Sequence, residues 1–148
     1  MTTKENNTQK KYPNTKYFEW YNANPKGKIT SDCVIRALCT AMEKPYNEVY
    51  EELYQLSIKT GYMIDCKQCY EKYLKEKGWV KNKQPRKLDN TKYTGKEFCE
   101  EIQTHRHWYN PHIIAHIGGH HIVAIMYGKV NDTWNSTDGC IGNYWERG

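Results

Sequence analysis

The chain has 148 residues and a formal net charge of +5, and it contains 13 tyrosines and 5 tryptophans that supply large packing area. This length predicts one domain with a sizeable core that does not depend on disulfides. No apolar run is long enough to span a membrane, and the first 16 residues lack the hydrophobic block of a signal peptide. We therefore expect a cytoplasmic protein with reduced thiols and no membrane partner.

The first half of the chain is expected to consist of a tail followed by helices. Residues 1–17 are polar and basic, which predicts a disordered basic tail, and residues 18–148 are expected to form the domain. Thr30 or Ser31 is expected to cap a first helix that runs to about Glu43. Apolar periodicity and end signals predict three more helices at about 46–59, 64–77 and 94–103, the last capped by Thr94.

The second half of the chain has the pattern of strands. Apolar runs separated by glycine-rich breaks predict strands at 112–117, 121–127 and 130–134. Residues 143–145 are expected to close the edge of the sheet. Because helices come first and strands follow, the predicted fold class is α+β, with the helices packed on a small antiparallel sheet.

Cys33 is the candidate nucleophile, because it follows Ser31 and Asp32 at the predicted start of a helix. A cysteine attacks as its thiolate, and both the N–H groups at a helix N-terminus and a neighbouring imidazolium favour that form. Asp32 would oppose the thiolate if its carboxylate pointed the same way. The alternative interpretation of Cys33 is a small apolar residue that starts a core helix.

Two histidines at the head of a predicted strand are candidates for the base. Gly118-Gly119 leaves an uncluttered approach to His120 and His121, and the strand that follows would fix one imidazole. Adjacent strand residues face opposite sides of a sheet, so only one of the two can reach Cys33. We favour His121 as the base and keep His120 as the alternative.

Asp132, one predicted hairpin later, is the candidate that orients the base. It is expected to accept a hydrogen bond from the imidazole and to fix its tautomer, while Trp134 shields that bond from water. Asn131 and Asn135 remain alternatives, and Asp132 could also be an ordinary hairpin residue. If these groups converge with the cysteine, they form a Cys-His-Asp triad for acyl transfer.

Together these motifs resemble the papain-like cysteine peptidases. In that superfamily the nucleophilic cysteine opens a central helix, the histidine begins a strand, and an Asn or Asp follows within one hairpin. Cys33, His121 and the run Asp132-Thr133-Trp134 keep that order. The segment 24–37 also resembles short papain-fold proteins encoded by phages and by low-GC Gram-positive bacteria, which would place a phage-encoded chain in the cytoplasm of its bacterial host.

The resemblance implies a papain-like fold over about residues 20–146 and a cysteine peptidase, or a related thiol hydrolase, that cleaves a peptide or isopeptide bond without a cofactor. Family members usually carry an oxyanion-stabilising glutamine a few residues before the cysteine, but position 27 is glycine. Asn24 is the expected substitute, with the Cys33 N–H as the second donor. A transglutaminase-like or deamidating reaction on the same three residues is an alternative.

A non-catalytic function is also open, because residues 72–96 carry nine basic and two acidic groups, a net charge of +7. This segment is either a solvated face or a surface that binds phosphate or an acidic protein. The alternative function is therefore a phage-type interaction protein that uses a papain-like scaffold to bind and block a host defence factor. A nucleic-acid partner is not expected. No metal is expected either, because Cys66 and Cys69 lack two further ligands at zinc-site spacing.

Overall fold

One six-stranded sheet with helices on both faces makes up the computed structural model, which describes residues 1–148. The helices are α1 (Thr3–Lys11), α2 (Cys33–Met42), α3 (Tyr46–Thr60), α4 (Lys67–Glu76) and α5 (Gly95–Thr104). The strands are β1 (Phe18–Trp20), β2 (Trp79–Asn82), β3 (His112–Ile117), β4 (His121–Met126), β5 (Lys129–Asp132) and β6 (Ile141–Arg147). The predicted α+β class is confirmed. The expectation of a small antiparallel sheet in the C-terminal region is wrong, because the sheet is mixed and also includes β1 and β2 from earlier in the chain. None of the helices combines the length and the apolar character needed to cross a membrane.

The sheet has the strand order β1-β5-β4-β3-β6-β2, and all neighbours are antiparallel except β1 and β5, which run parallel. The prediction that residues 143–145 close the sheet edge is wrong, because β6 lies between β3 and β2 and pairs with both. The edge strands are β1 and β2, with three and four residues. Strands this short offer too few alternating positions to be recognised in the sequence.

The sheet separates two buried layers. Helices α2, α3 and α4 pack on one face, and α5 packs on the other. Successive residues of β3 alternate between them, since Ile114 packs with the first layer, whereas Ile113 and Ala115 pack with the second. Helix α2 is buried along almost its whole length against β4, β5 and α3. This packing fixes α2 beside the two strands that carry the candidate base and its partner.

Local end signals account for several helix boundaries. Thr94 caps α5 through a capping box with Glu97, as predicted. The N-cap position of α2 is Asp32, not Thr30 or Ser31, and the Asp32 side chain makes no capping bond. The reason is that the Asp32 carboxylate is used elsewhere, in contacts with Arg36, Asn24 and Tyr46.

The N-terminal segment contains a docked helix, which corrects the expectation of a disordered tail over residues 1–17. Helix α1 begins with a capping box between Thr2 and Glu5, and Glu5 is buried. The Glu5 carboxylate accepts a hydrogen bond from Asn22 Nδ2 (3.0 Å), and the Thr2 hydroxyl donates to the Gly27 carbonyl (3.0 Å). At Gly27, φ is +66° and a Cβ would lie only 2.5 Å from a Glu5 oxygen. These polar contacts, which composition does not reveal, hold the helix on the domain.

Candidate active site

Cys33 is the first residue of α2 and lies half-buried at the N-terminal end of that helix. Because Asp32 makes no capping bond, no side chain of the N-cap residue covers the N–H groups of the first turn. The first hydrogen bond of the helix runs from the Arg36 N–H to the Asp32 carbonyl (3.0 Å). The partial positive charge of this helix end therefore lies beside the thiol.

His121 is the first residue of β4 and directly follows the turn at residues 118–120. The two glycines of that turn have φ of 63° and 92°, values that glycine adopts without strain. His121 Nε2 lies 2.5 Å from Asp132 Oδ2. The Cys33 thiol also contributes to the raised pKa of the imidazole, and α2, which begins with Cys33, packs against β4, which begins with His121. Since Asp132 occupies Nε2, Nδ1 is the ring nitrogen left for the sulfur.

The charges of these groups stabilise one another. Burial opposes the positive charge of the imidazole, but hydrogen bonds with Asp132 and Cys33 and the charges of both outweigh it and raise the pKa of His121 to about 9. Burial likewise opposes the negative charge of Asp132, but the hydrogen bond with His121 and the charge of Arg36 lower the pKa of Asp132. An imidazolium paired with a carboxylate is therefore the stable state at neutral pH.

Arg36 holds the Asp132 carboxylate from the side opposite the imidazole. Its Nη1 donates to Asp132 Oδ1 (2.5 Å), and its Nε donates to Asp32 Oδ1 (2.7 Å). The Thr133 N–H is a second donor to Asp132 Oδ1 (2.7 Å). Asp132 is only 2% exposed, and Arg36 and Asp32 are also buried. With Oδ1 held by two donors, Oδ2 is fixed toward His121.

Asn24 has contacts that differ from its expected oxyanion role. Its Nδ2 donates to Asp32 Oδ2 (3.0 Å), and its Oδ1 accepts the Lys26 N–H (2.9 Å) in the local turn. Tyr46 Oη also donates to Asp32 Oδ2 (2.8 Å). Asn24 therefore helps to hold Asp32, and its side chain is engaged in these contacts rather than turned toward the thiol. The other carboxylate oxygen of Asp32, Oδ1, forms the ion pair with Arg36. The negative charge of Asp32 is therefore paired within the chain, which reduces its opposition to a thiolate at Cys33.

The structure distinguishes the two candidate histidines. His120 is exposed in the turn and makes no side-chain hydrogen bond, whereas His121 is half-buried against Asp132. Trp134 lies over the His121 ring, with the ring centroids 4.8 Å apart and the planes tilted by 39°. At 40% exposure, Trp134 covers the imidazole on one side and is itself open to solvent on the other. That Trp134 shields the His121–Asp132 hydrogen bond from water stays a prediction.

Arg36 and Tyr46 are the site residues that sequence reasoning missed. The Asp32–Arg36 spacing of i, i+4 on a helix is a signal for the first ion pair. No sequence signal indicates the second ion pair, because Arg36 and Asp132 are 96 residues apart. Tyr46 likewise reaches Asp32 only because α3 packs on α2.

The other cysteines and the basic segment 72–96 lie outside the group formed by Cys33, His121, Asp132 and Arg36. Cys69 is buried and its thiol faces the Leu53 carbonyl (3.9 Å), and no cluster of His, Cys, Asp or Glu suited to a metal ion is present. Several lysines of the segment 72–96 are neutralised within the chain by ion pairs, namely Lys77–Glu52, Lys81–Glu71, Lys87–Glu97 and Lys96–Asp138. Its net charge therefore overstates the positive charge that is free to meet a partner.

Comparison with known proteins gives no relative from which a function could be transferred. No protein-family model, no curated protein and no solved structure matches this chain. The function of the chain is therefore inferred from the chemistry of its own site.

The raised pKa of His121 has a consequence for stability. Because the folded state binds this proton more tightly than the unfolded chain, the contribution of the imidazolium is full below pH 6.5 and is lost as the pH rises through about 9. We expect the difference in unfolding free energy between the wild-type chain and His121→Ala to shrink over that pH range in urea denaturation. The exposed His120→Ala variant is the control, and a difference that stays constant with pH would contradict the charged pair.

Proposed function

We propose that this protein is a thiol acyl-transfer hydrolase of papain-like design, most simply a cysteine peptidase, with Cys33 as nucleophile, His121 as base and acid, and Asp132 as orienting group. The observation that carries the proposal is the juxtaposition of the Cys33 thiol, at an uncapped helix N-terminus, with an imidazole whose other nitrogen is held by a buried carboxylate. Thiol nucleophile, base and orienting group in this relation are the parts of a triad.

In the first half of the reaction, the Cys33 thiolate attacks the carbonyl carbon of a peptide or isopeptide bond. The carbonyl oxygen takes up the negative charge beside the N–H groups that begin α2. The His121 imidazolium then gives its proton to the leaving nitrogen, the carbon–nitrogen bond breaks, and an amine departs. The product on the protein is a thioester at Cys33.

In the second half, the neutral His121 imidazole takes a proton from water, and the hydroxide formed attacks the thioester carbonyl. The carbon–sulfur bond breaks, the carboxylic acid leaves, and the thiolate–imidazolium pair is restored. Asp132 keeps the ring in one orientation through both halves, and the buried Arg36 keeps Asp132 ionised. If an amine replaces water, the same steps give the transamidation reaction expected as an alternative.

The papain-like assignment is supported by the order and setting of these elements. The cysteine begins a buried helix, the histidine begins a strand against which that helix packs, and the aspartate ends the neighbouring antiparallel strand. A protein or peptide is the substrate class that this chemistry serves, and no cofactor takes part in any step.

Alkylation by iodoacetamide tests the proposed nucleophile. We expect Cys33 to react at about pH 6 at least roughly tenfold faster than the exposed Cys140, because a neighbouring imidazolium favours the thiolate. The rates are read for each cysteine by peptide mass spectrometry. In His121→Ala, the rate at Cys33 is expected to fall, whereas the rate at Cys140 stays unchanged as an internal control.

A Cys33 that is no faster than Cys140 at about pH 6, or that does not respond to His121→Ala, would contradict the proposed pair. That result would favour the non-catalytic alternative. For such an interaction protein, the basic residues without intrachain ion pairs are the first candidates for partner binding. Lys72 and Lys75 line a groove of about 960 Å³ between α4 and β2, where they are free to meet an acidic partner.

A further inference from the structure

Helix α3 carries an exposed apolar ridge that the core does not use. Tyr50, Tyr54 and Ile58 follow one another at four-residue intervals and therefore lie on one face of the helix. They are 45%, 51% and 61% exposed, while Leu53 and Leu56 of the same helix are buried in the core. Contiguous apolar side chains on a surface mark an interaction site more often than single ones do. We call these three residues the tyrosine ridge.

The tyrosine ridge begins next to the candidate active site. The Tyr46 ring stacks edge-on against Tyr50, with centroids 6.1 Å apart, and Tyr46 Oη donates to Asp32, the residue before Cys33. Because Tyr46 is the first residue of α3, this contact connects the start of α3 with the end of α2 that carries Cys33. A chain that lies on the tyrosine ridge and continues past Tyr46 would therefore approach the residue that precedes Cys33.

The side chains beside the tyrosine ridge favour a positively charged binding partner. Glu51 is exposed and forms no ion pair within the chain, and it lines a depression of about 500 Å³ together with Tyr50 and Tyr54. Tyrosine faces attract ammonium and guanidinium groups, and the Glu51 carboxylate adds to that attraction. A second copy of the chain is a poorer occupant, because a symmetric contact would bring the Glu51 carboxylates of the two copies together.

We propose that the tyrosine ridge is a docking surface for a basic polypeptide segment, whose arginine or lysine side chains lie over Tyr50 and Tyr54 and pair with Glu51. On the proposed function, that segment belongs to the substrate that presents its carbonyl to Cys33. The surface thus gives the enzyme a preference for basic protein substrates.

Fluorescence anisotropy tests this docking surface on the full chain. The probes are a fluorescein-labelled peptide of alternating arginine and leucine and a matched peptide with glutamate in place of arginine. We expect the basic peptide alone to bind, and Tyr50→Ser with Tyr54→Ser to weaken its binding about tenfold. Tyr127→Ser, at an equally exposed tyrosine between β4 and β5, is the control and is expected to bind normally.

The measurement uses the Cys33→Ala background, so that binding is read without turnover and separately from the proposed catalysis. Circular dichroism of each variant confirms its fold. Equal binding of both peptides, no binding of the basic peptide, or binding that survives the double substitution would overturn the proposal. Sedimentation velocity that shows wild-type dimers dispersed by the double substitution would assign the tyrosine ridge to self-association and overturn it as well.

Discussion

The Cys33→Ala variant is expected to lose acyl-enzyme formation completely, because no other group at the site can form the thioester. With p-nitrophenyl acetate, the wild-type chain should release a burst of p-nitrophenolate matching its own concentration, as the acetyl group accumulates on Cys33. Stopped-flow absorbance measures the size and the rate of the burst. Mass spectrometry locates the acetyl group on the peptide that contains Cys33.

The same assay ranks the other members of the triad. His121→Ala is expected to slow acylation by roughly 10²–10⁴-fold, the range for loss of a general base, because the sulfur loses its proton acceptor. Asp132→Ala is expected to have a smaller effect, since the imidazole remains but is no longer held in one orientation. His120→Ala is the matched control and should leave the burst unchanged. Full activity in both His121→Ala and Asp132→Ala would refute the triad.

Arg36→Met is expected to lower the free energy of unfolding by about 3–5 kcal/mol, the cost of leaving a buried charge without its partner. Arg36 lies between two buried carboxylates, at 2.7 Å from Asp32 and 2.5 Å from Asp132. Methionine fills a similar volume but removes the positive charge from between them. Urea denaturation near neutral pH measures the loss.

Two variants distinguish this buried network from an ordinary surface ion pair. Adding Asp32→Asn to Arg36→Met should recover part of the lost stability, because one of the two uncompensated charges is then absent. Lys96→Met breaks an exposed ion pair with Asp138 and is expected to change the free energy by less than about 1 kcal/mol. Equal effects of Arg36→Met and Lys96→Met would mean that the buried ion pairs do not hold the site together.

Local features of the sequence were enough to predict several elements. Strand β3 matches its predicted bounds, 112–117, because apolar runs bounded by a proline and by glycines are visible within a few residues. Helix α3 ends before Gly61, which has φ +81°, a conformation that glycine adopts at little cost. The capping box at Thr94 likewise depends on residues three apart. Such features can be recognised in the sequence because they depend on residues that are close neighbours along the chain.

Contacts between residues distant in sequence decided the arrangement of the candidate site. The sequence by itself determined which types of group are present: a cysteine at a helix start, two histidines at a strand start, and an aspartate one hairpin later. Only the tertiary structure selected His121 over His120, assigned Asn24 to Asp32, and brought Arg36 to Asp132 across 96 residues. The physical reason is that a side chain's partner is set by the packing of α2 on the sheet, and that packing sums many weak contacts that no local pattern encodes.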